Sequence, residues 1–531
     1  MQASSPFLHA QPAKLDASRL TLALCLALPW LNGFTAGPSP NFWPLWGAAV
    51  LGIAVLLQWR KLDAACMAQA WLAAALVSSL MAVLQYFGLA AALAPWVSPS
   101  ELGQSYANLR QRNQFASLTS IGLVSLLVMQ AWHARPESVP RRGLAGLTAL
   151  AAAAALLLAL GNATSSSRTG FLQWALILLV LLGAWLKGGG LRCRRPGAAL
   201  GLSLWAFACY ALLLMVLPRS LLAWQGADIG SMAERLVASG QDSRRLIWEN
   251  VAHLIAQKPW SGWGWGELDY AHFMTVYPGL RFSELLDHAH NLPLQLAVEL
   301  GVPAALAICL GLALWVWRAQ PWREREPGRL LAWGVLAIIG IHSLLEYPLW
   351  YGPFHWAALL CIVWLGRTRH MKKGLVSGEV SGLARKARWG LACICWMALA
   401  LTALDYARVS QLYRAPAERW RIDSSHPLAI SGSGQGSAGS VFFQSEIDFA
   451  RLTTTPVSLG NAPEIHALAL SLLHYSPEPR VVEPLIASAV LLGKTDDAAA
   501  YLVRYRRAFS DDMWRQLLER NPSWTALGQA G

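Results

Sequence analysis

Charged residues are scarce in this sequence. Only 14% of its 531 residues are Asp, Glu, Lys or Arg, whereas 55% are hydrophobic, and the mean hydropathy is +0.37. A soluble protein carries about 25% charged residues. The shortage of charge therefore excludes an ordinary water-soluble protein and indicates a chain dissolved largely in lipid.

Acidic residues are scarcer than basic ones, with 30 of the former and 43 of the latter, which gives a formal net charge of +13. A basic protein can bind nucleic acid when its basic residues gather on one solvated face. Here they are spread among short loops between apolar runs, which is typical of membrane topology. We therefore expect the lipid bilayer as a partner, and no nucleic acid.

The cysteines do not indicate a disulfide framework. Of the eight cysteines, seven lie within apolar runs and Cys193 lies in a basic loop, so no disulfide pattern or zinc spacing is visible. The start of the chain, "MQASSPFLHAQPAKLDASRL", also lacks the order of regions found in a cleaved signal peptide. We expect the first apolar run to be a retained helix.

Long apolar runs are the main feature of the sequence. A spanning helix needs roughly 20 mainly apolar residues, and about eleven candidate runs meet this requirement. They lie near 18–36, 41–59, 65–90, 114–132, 144–161, 170–187, 198–217, 292–317, 330–346, 350–366 and 389–406. The pattern predicts an all-α, polytopic integral membrane protein.

Basic residues alternate between the loops in a way that predicts sidedness. If the amino terminus is cytoplasmic, the loops around 60–61, 135–142, 187–195, 318–329 and 367–388 all fall inside and carry most of the arginine and lysine. The expected organisation is then a bundle of about seven helices at 1–217, a long outer loop at 218–291, about four helices at 292–406 and an outer helical domain at 407–531.

Three arginines lie in loops that this orientation places outside, where basic residues are not expected. Arg110 and Arg112 lie in the amide-rich stretch "YANLRQRNQFASL", and Arg168 lies in "GNATSSSRTG". Snorkelling towards lipid headgroups is one explanation. The alternative is an anion site among amides and hydroxyls, because guanidinium groups match phosphate oxygens.

The long outer loop contains a predicted amphipathic helix, "SRRLIWENVAHLIAQ", starting near Asp242 or Ser243. Arg244 and Arg245 would lie in its first turn, where cations oppose the helix dipole unless an anion binds there. An ordinary solvated helix end is the alternative. The loop continues with "PWSGWGWGELDY", whose tryptophans either hold sugar rings or sit in the interfacial belt.

Two histidines close this loop in the stretch "DHAHN" at 287–291. In a helix His288 and His290 would point about 200° apart, and Pro293 predicts that the spanning helix begins at Pro293, with His290 and Asn291 at its mouth. A zinc site built from Asp287, His288, His290 and Glu284 is possible on paper. A structural or a catalytic histidine is the other reading.

The order of these motifs resembles a known family. "RRLIWENVAHLIAQKPWSGWGWG", "HAHNLPLQLAVELGVPAAL" and "HSLLEYPLWY" look like the bacterial O-antigen ligase and polymerase superfamily, and within it the protein O-oligosaccharyltransferases of the PglL type. "ANLRQRNQFASL" and "SSSRTG" are similar to two further motifs of that branch. The chain departs from it at Ala107, where the branch has Gly, and at 112–114, where the branch has Pro-Asn-His.

The resemblance implies a membrane glycosyltransferase of the inner membrane with a GT-C-like fold, whose site opens to the periplasm. It implies transfer of a glycan from undecaprenyl pyrophosphate to a hydroxyl of an exported protein such as pilin, with no metal and no other cofactor.

The resemblance points to His290 as the residue that activates the acceptor, with His288 as the fallback base and Asn291 and Asp287 as orienting groups. The donor pyrophosphate would meet the arginines Arg168, Arg244, Arg245, Arg110 and Arg112. Supporting roles fall to polar residues of the same motifs, namely Asn108, Gln111, Asn113, His342, Glu346 and Tyr347.

Several alternatives stay open. The same chemistry could serve an O-antigen ligase or an O-antigen polymerase. A polysaccharide or lipid transporter, or a flippase, also needs outward-facing arginines, but transporters usually carry ionisable residues within several spans. A structural scaffold would leave those arginines unexplained.

Overall fold

The structure is a computed structural model that describes residues 16–133, 141–186, 196–226, 240–372, 382–420 and 439–529. Within these ranges the secondary structure is entirely helical. In lipid an uninterrupted helix is the simplest way to satisfy every backbone polar group, so the long apolar runs fold in this way.

Seven helices form the amino-terminal half: α1 (Ala17–Leu31), α2 (Phe42–Leu57), α3 (Ala64–Tyr86), α4 (Arg112–His133), α5 (Arg141–Ser165), α6 (Arg168–Leu186) and α7 (Pro196–Gln225). The helix α3 lies at the centre of this group and packs against α1, α4 and α5. Its small residues Ala74 and Ala75 are fully buried, which lets the neighbouring helices approach closely.

Three helices follow in the loop region: α8 (Gly240–Gln257), α9 (Leu268–Met274) and α10 (Leu292–Leu300). The amphipathic prediction for α8 is confirmed, since Ile247, Val251 and Leu254 bury one face in a small core of the loop region. The helix begins a few residues earlier than predicted, so Arg244 and Arg245 lie beyond its first turn.

The later helices are α11 (Val302–Ala319), α12 (Pro327–Ser343), α13 (Gly352–Lys372) and α14 (Gly382–Val409). Six smaller ones then form the tail: α15 (Gln444–Thr454), α16 (Ala462–Leu472), α17 (Pro479–Leu491), α18 (Thr495–Ala508), α19 (Asp511–Arg520) and α20 (Trp524–Gln529). The tail helices share a core of their own, which also includes Phe273 of α9.

Six helical segments in the described part of the chain are long and apolar enough to cross a bilayer. They are Ala64–Tyr86, Ala145–Ser165, Arg168–Leu186, Gly197–Trp224, Val302–Arg323 and Arg385–Tyr413. Shorter apolar helices occur at Ala17–Leu31, Phe42–Leu57 and Pro327–Ser343. The protein is therefore a multi-pass membrane protein, as its composition predicts.

One predicted span is wrong in its bounds. The run at 292–317 is interrupted at Gly301, whose φ is 87°, so the short helix α10 precedes the apolar helix α11. The Val302 N–H donates to the Pro259 carbonyl at 2.8 Å, and a Cβ at Gly301 would lie 2.2 Å from the Trp260 carbonyl oxygen. The two histidines therefore precede a short helix of the loop region and do not lie at the mouth of a spanning helix.

Candidate active site

A buried carboxylate gathers four side chains from distant parts of the sequence. Glu346 Oε1 accepts hydrogen bonds from Asn113 Nδ2 at 2.8 Å and Arg244 Nη2 at 2.6 Å. Its Oε2 lies 2.6 Å from His290 Nδ1 and accepts from Gln111 Nε2 at 3.2 Å. The side chain of Glu346 is only 6% exposed, so these partners replace the water that a carboxylate would otherwise bind.

Four separate elements supply this arrangement. Gln111 and Asn113 lie at the start of α4, Arg244 lies on α8, and His290 lies in the loop before α10. Glu346 follows α12 in a turn closed by its own N–H, which donates to the His342 carbonyl at 2.8 Å. The fold thus brings together the amide-rich motif, the amphipathic helix, the histidine loop and the "HSLLEYPLWY" motif.

His290 has an unusual backbone conformation. Its φ is 50°, in the left-handed region that residues other than glycine rarely adopt. The preceding residue, Ala289, fixes this turn, because its N–H donates to Gln295 Oε1 at 2.6 Å and its carbonyl accepts from Trp248 Nε1 at 3.0 Å. Such strain persists only where surrounding contacts over-determine it, and it clusters at functional sites.

The pairing with Glu346 also decides which nitrogen of His290 is available. An ionised carboxylate can only accept a hydrogen bond, so Nδ1 carries the proton and the neutral ring keeps a lone pair on Nε2. Nε2 makes no hydrogen bond to any residue that the structure describes, and the side chain is 28% exposed. His290 can therefore accept a proton from a molecule that reaches the site.

His288 occupies a different environment. Its ring packs against Tyr347 at a centroid distance of 4.0 Å and against Trp350 at 5.0 Å. Burial lowers the pKa of His288 to about 4, because the charged imidazolium loses its hydration there. This ring is thus a poorer proton acceptor near neutral pH than a histidine of ordinary pKa, and its visible contacts are aromatic.

The two polar neighbours of the histidines also differ. Asn291 caps α10 through its Oδ1, which accepts from the Leu294 N–H at 3.1 Å, and its Nδ2 donates to the Leu344 carbonyl at 3.0 Å. Asn291 thereby ties the histidine loop to the segment that carries Glu346. The side chain of Asp287 is exposed.

The predicted arginines do not form one cluster of contacts. Arg244 binds Glu346, whereas Arg245 pairs with Glu249 on the exposed face of α8. Arg110 is exposed and donates to the Pro40 carbonyl at 3.0 Å.

Arg112 and Arg168 begin two of the apolar helices. Arg112 is the first residue of α4, and Arg168 is the first residue of α6. The turn before Arg168 is fastened to the site, because Ser167 Oγ donates to Asn113 Oδ1 at 2.6 Å.

The predicted supporting residues separate into two groups. Gln111, Asn113, Glu346 and Tyr347 lie at the site, where the Tyr347 ring is 5.1 Å from that of His290. Asn108 instead holds its own loop, with its Nδ2 donating to the carbonyls of Leu31 and Trp96.

His342 is buried among the apolar helices below the site. Its Nδ1 lies 2.9 Å from Ser117 Oγ, and its carbonyl closes the turn that carries Glu346.

A pair of polar residues that the sequence analysis did not single out supports the histidine loop. Gln295 and Glu299 are both 3% exposed, and Gln295 Nε2 donates to Glu299 Oε1 at 2.9 Å. They stand four residues apart in the otherwise apolar "LPLQLAVEL". Two polar residues on one face of an otherwise apolar helix are the sequence signal that could have identified this pair.

The residues of the zinc alternative do not converge. No group of three or more His, Cys, Asp or Glu side chains with metal-binding spacing occurs in the part of the chain that the structure describes. His290 uses Nδ1 for Glu346, and the His288 ring packs at a tilt against the rings of Tyr347 and Trp350.

Comparison with protein families agrees with the division of the site among motifs. A model described as "Protein glycosylation ligase" matches residues 106–128, one described as "O-Antigen ligase" matches 153–309, and one described as "Virulence factor membrane-bound polymerase, C-terminal" matches 330–521. The first matched region contains Gln111 and Asn113, the second contains Arg244 and His290, and the third contains Glu346. In these regions the chain is similar to O-antigen ligases and to protein glycosylation ligases.

Two proteins to which the chain is similar come from Acinetobacter baylyi. A general O-oligosaccharyltransferase is 27% identical over 288 residues, which are 53% of this chain and 47% of the relative. A ComP-specific O-oligosaccharyltransferase is 25% identical over 320 residues, which are 60% of this chain and 54% of the relative. The chain thus spans about half the length of the curated relatives that it matches.

Proposed function

We propose that this protein is an O-oligosaccharyltransferase. It transfers a glycan from an undecaprenyl-pyrophosphate-linked oligosaccharide to Ser or Thr hydroxyls of exported proteins such as pilin. The observation that carries the proposal is the His290–Glu346 pair, held at 2.6 Å with Nε2 of the histidine unbound among the described residues. The names of the two relatives and the match at 106–128 support the same activity.

The proposed setting is the bacterial inner membrane, with the amino terminus in the cytoplasm. About eleven spans, seven within 1–217 and four within 292–406, place the loop 218–291 and the helical domain 407–531 in the periplasm. The distribution of basic loops supports this orientation. It puts His290 and Glu346 on the side where exported acceptor proteins are found.

The reaction is a substitution at the anomeric carbon of the glycan. The acceptor hydroxyl gives its proton to His290 Nε2 as its oxygen forms a bond to that carbon. The bond between the carbon and the pyrophosphate oxygen breaks, and its electron pair leaves with the undecaprenyl pyrophosphate. Glu346 holds the ring in the required tautomer and stabilises the imidazolium that forms, in the manner of a triad carboxylate.

Guanidinium groups stabilise the charge that develops on the leaving pyrophosphate. Arg168 is the foremost candidate, because the turn before it is bonded to Asn113, itself a partner of Glu346. Arg244 contributes through the N–H groups not used by Glu346. Arg110, Arg112 and Arg245 are proposed to act at the rim.

The proposed reaction is tested by the His290→Ala variant. It is expected to abolish glycosylation of the acceptor protein without lowering the amount of enzyme in the membrane. His253→Ala is the matched control, since His253 lies on α8 in the same loop region. Normal acceptor modification by His290→Ala, at matched membrane levels, would remove His290 from the mechanism.

A second candidate uses the same donor with another acceptor. The matches described as O-antigen ligase and membrane-bound polymerase favour transfer to a lipid-linked glycan. Deletion of the gene separates the two candidates. Loss of the pilin mobility shift with an intact lipopolysaccharide ladder supports protein glycosylation, whereas the reverse result supports the ligase or polymerase.

A further inference from the structure

A continuous series of aromatic rings leads from His290 to the protein surface. The Tyr347 ring lies 5.1 Å from His290, His288 lies 4.0 Å from Tyr347, and Trp350 lies 5.0 Å from His288. The Trp265 ring then stacks nearly parallel to Trp350, at a centroid distance of 6.1 Å and an angle of 9°. Trp265 is 65% exposed, so this series ends at the protein surface.

The backbone on both sides of Trp265 is fixed by one residue. The Gly264 N–H donates to the Glu299 carbonyl at 3.0 Å, and the Gly266 N–H donates to Glu299 Oε1, also at 3.0 Å. Both glycines have positive φ, 120° and 77°. Trp265 is therefore presented on a rigid turn despite the exposure of its ring.

The same buried pair of side chains connects this turn to the histidine loop. Glu299 Oε1 also accepts from Gln295 Nε2, and Gln295 Oε1 accepts from the Ala289 N–H between the two histidines. Trp265 and His290 are thus held in register through Gln295 and Glu299. A tryptophan that only anchored the protein in the interfacial belt would need no such connection to the active site.

Trp260 provides an internal contrast. It lies in the same loop and is 81% exposed, but its ring has no aromatic partner among the residues that the structure describes. Of these two exposed tryptophans, Trp265 alone is joined to the ring series.

We propose that Trp265 and Trp350 form a sugar-binding platform for the glycan of the lipid-linked donor. The inference rests on the proposed transferase function and adds a subsite to it. The apolar face of a pyranose ring packs on the face of an indole, and the exposed hydroxyls keep their water. Because four successive ring-to-ring contacts connect His290 to Trp265, the platform meets sugars beyond the one whose anomeric carbon reacts.

The test compares two donors in a purified, reconstituted system. One is undecaprenyl pyrophosphate carrying a single N-acetylhexosamine, and the other carries a trisaccharide of the same sugar. With the trisaccharide donor, Trp265→Ala is expected to raise the donor KM about three- to tenfold, which is the usual range for one aromatic contact. With the monosaccharide donor, KM is expected to stay at the wild-type value.

Trp260→Ala is the matched control, and it is expected to behave like the wild type with both donors. Equal losses in the two variants, equal losses with the two donors, no change in Trp265→Ala, or a change confined to the acceptor KM would each overturn the platform. Trp265→Phe, which keeps a flat ring, is expected to restore part of the affinity.

A binding measurement separates this inference from the proposed function. If the wild type transfers neither donor, the proposed function fails. Saturation-transfer NMR with the free trisaccharide then still tests the platform. Contact in the wild type that is lost in Trp265→Ala and kept in Trp260→Ala supports it, and absence of contact in the wild type overturns it.

Discussion

Glu346 is a carboxylate in a position where an unpaired charge would be costly. Taking an ion out of water costs several kcal/mol, which only good geometry and complete hydrogen bonding can offset. Both oxygens of Glu346 have two partners each, including the guanidinium of Arg244. The residue therefore acts as the common fixed point for His290 and for the start of α4.

A first prediction concerns this carboxylate. Glu346→Gln removes the charge and introduces an amide that can donate to Nδ1, which favours the wrong tautomer of His290. Glycan transfer is expected to fall by about a hundred- to ten-thousandfold with little change in donor KM. Initial rates with purified enzyme at matched protein amounts measure the effect.

Glu267→Gln is the control for this prediction. Glu267 also pairs with a histidine, His474, at 2.7 Å, but this pair lies away from the Glu346 cluster. Its loss is expected to leave the turnover number near that of the wild type. A Glu346→Gln enzyme with wild-type turnover would show that the His290 tautomer does not depend on the carboxylate.

A second prediction concerns pH. The pKa of His288 in the folded protein, about 4, lies below the ordinary histidine value of 6.5, so the unfolded chain binds a proton first as the pH falls. The stability that comes from keeping this ring neutral is complete above about pH 6.5 and is lost progressively towards pH 4. His288→Phe keeps an aromatic ring and removes the titration.

The melting temperature in detergent is expected to fall less between pH 7 and pH 5 in His288→Phe than in the wild type. His272, whose pKa burial lowers to about 3, remains and retains part of the acid sensitivity. His253→Phe serves as the control on α8. An identical fall in the wild type and His288→Phe would contradict the prediction.

At the scale of helices, the break at Gly301 decides where the histidine loop lies. It detaches α10 from the apolar run, and α10 packs against α8 in the loop region. The Trp263 N–H donates to the Val298 carbonyl at 2.8 Å, so the tryptophan turn closes over the end of α10. This short helix thus joins the site to the turn that carries Trp265.

A third prediction tests the break. Gly301→Ala places a Cβ 2.2 Å from the Trp260 carbonyl oxygen at a backbone conformation that is nearly confined to glycine. The free energy of unfolding is expected to fall by about 2 kcal/mol or more, together with the transfer rate. Thermal unfolding in detergent and initial rates measure the two effects.

Gly311→Ala is the control, because a Cβ at Gly311 of α11 meets no atom within 4 Å. Its melting temperature is expected to equal or slightly exceed that of the wild type. A stable Gly301→Ala protein with normal activity would mean that α10 and α11 can join without harm.

The sequence predicted the apolar helices but did not predict the break at Gly301 between α10 and α11. Each predicted apolar run has a helix in the structure, because a chain in lipid must satisfy its backbone internally. The interruption at Gly301 depends on the approach of the Pro259–Trp260 backbone, which lies some forty positions earlier in the chain. A local hydrophobic pattern carries no information about such a contact.

The sequence singled out the residues that meet at Glu346, but it did not predict the hydrogen bonds between them. The helix-dipole argument singled out Arg244, and the family motifs singled out His290 and Glu346. Glu346 binds Arg244 and His290 together through contacts between distant segments of the chain, which no spacing in the sequence reveals. Asn108 is a different case. It lies in a motif that was expected to support the site, but its side-chain amide donates to the carbonyls of Leu31 and Trp96.

At the scale of the whole molecule, the tail contacts the loop region through a half-buried arginine, Arg281. Arg281 Nη1 donates to the carbonyls of Phe282, Arg507 and Ala508 at 3.0, 3.4 and 3.3 Å. Burial lowers the pKa of Arg281 to about 10. The guanidinium satisfies the last carbonyls of α18, where a cation also complements the helix dipole.

A fourth prediction addresses this interface. Arg281→Ala leaves those carbonyls without their donor, so the tail is expected to be cut several-fold faster by trypsin in limited proteolysis. Arg480→Ala is the control, since Arg480 pairs with Glu478 within the tail itself. Equal cleavage rates in Arg281→Ala and the wild type would show that other contacts hold the tail.

The Glu346 cluster also has a consequence for the order in which the site is synthesised. Gln111 and Glu346 are 235 positions apart, so four of the five members have already been synthesised before the fifth exists. A nascent chain that ends before α12 already contains His288, His290 and the five candidate arginines of the site. It still lacks Glu346, so His290 has no carboxylate that sets its tautomer. The cluster is therefore completed late in synthesis, after the residues of most of the apolar helices have been added to the chain.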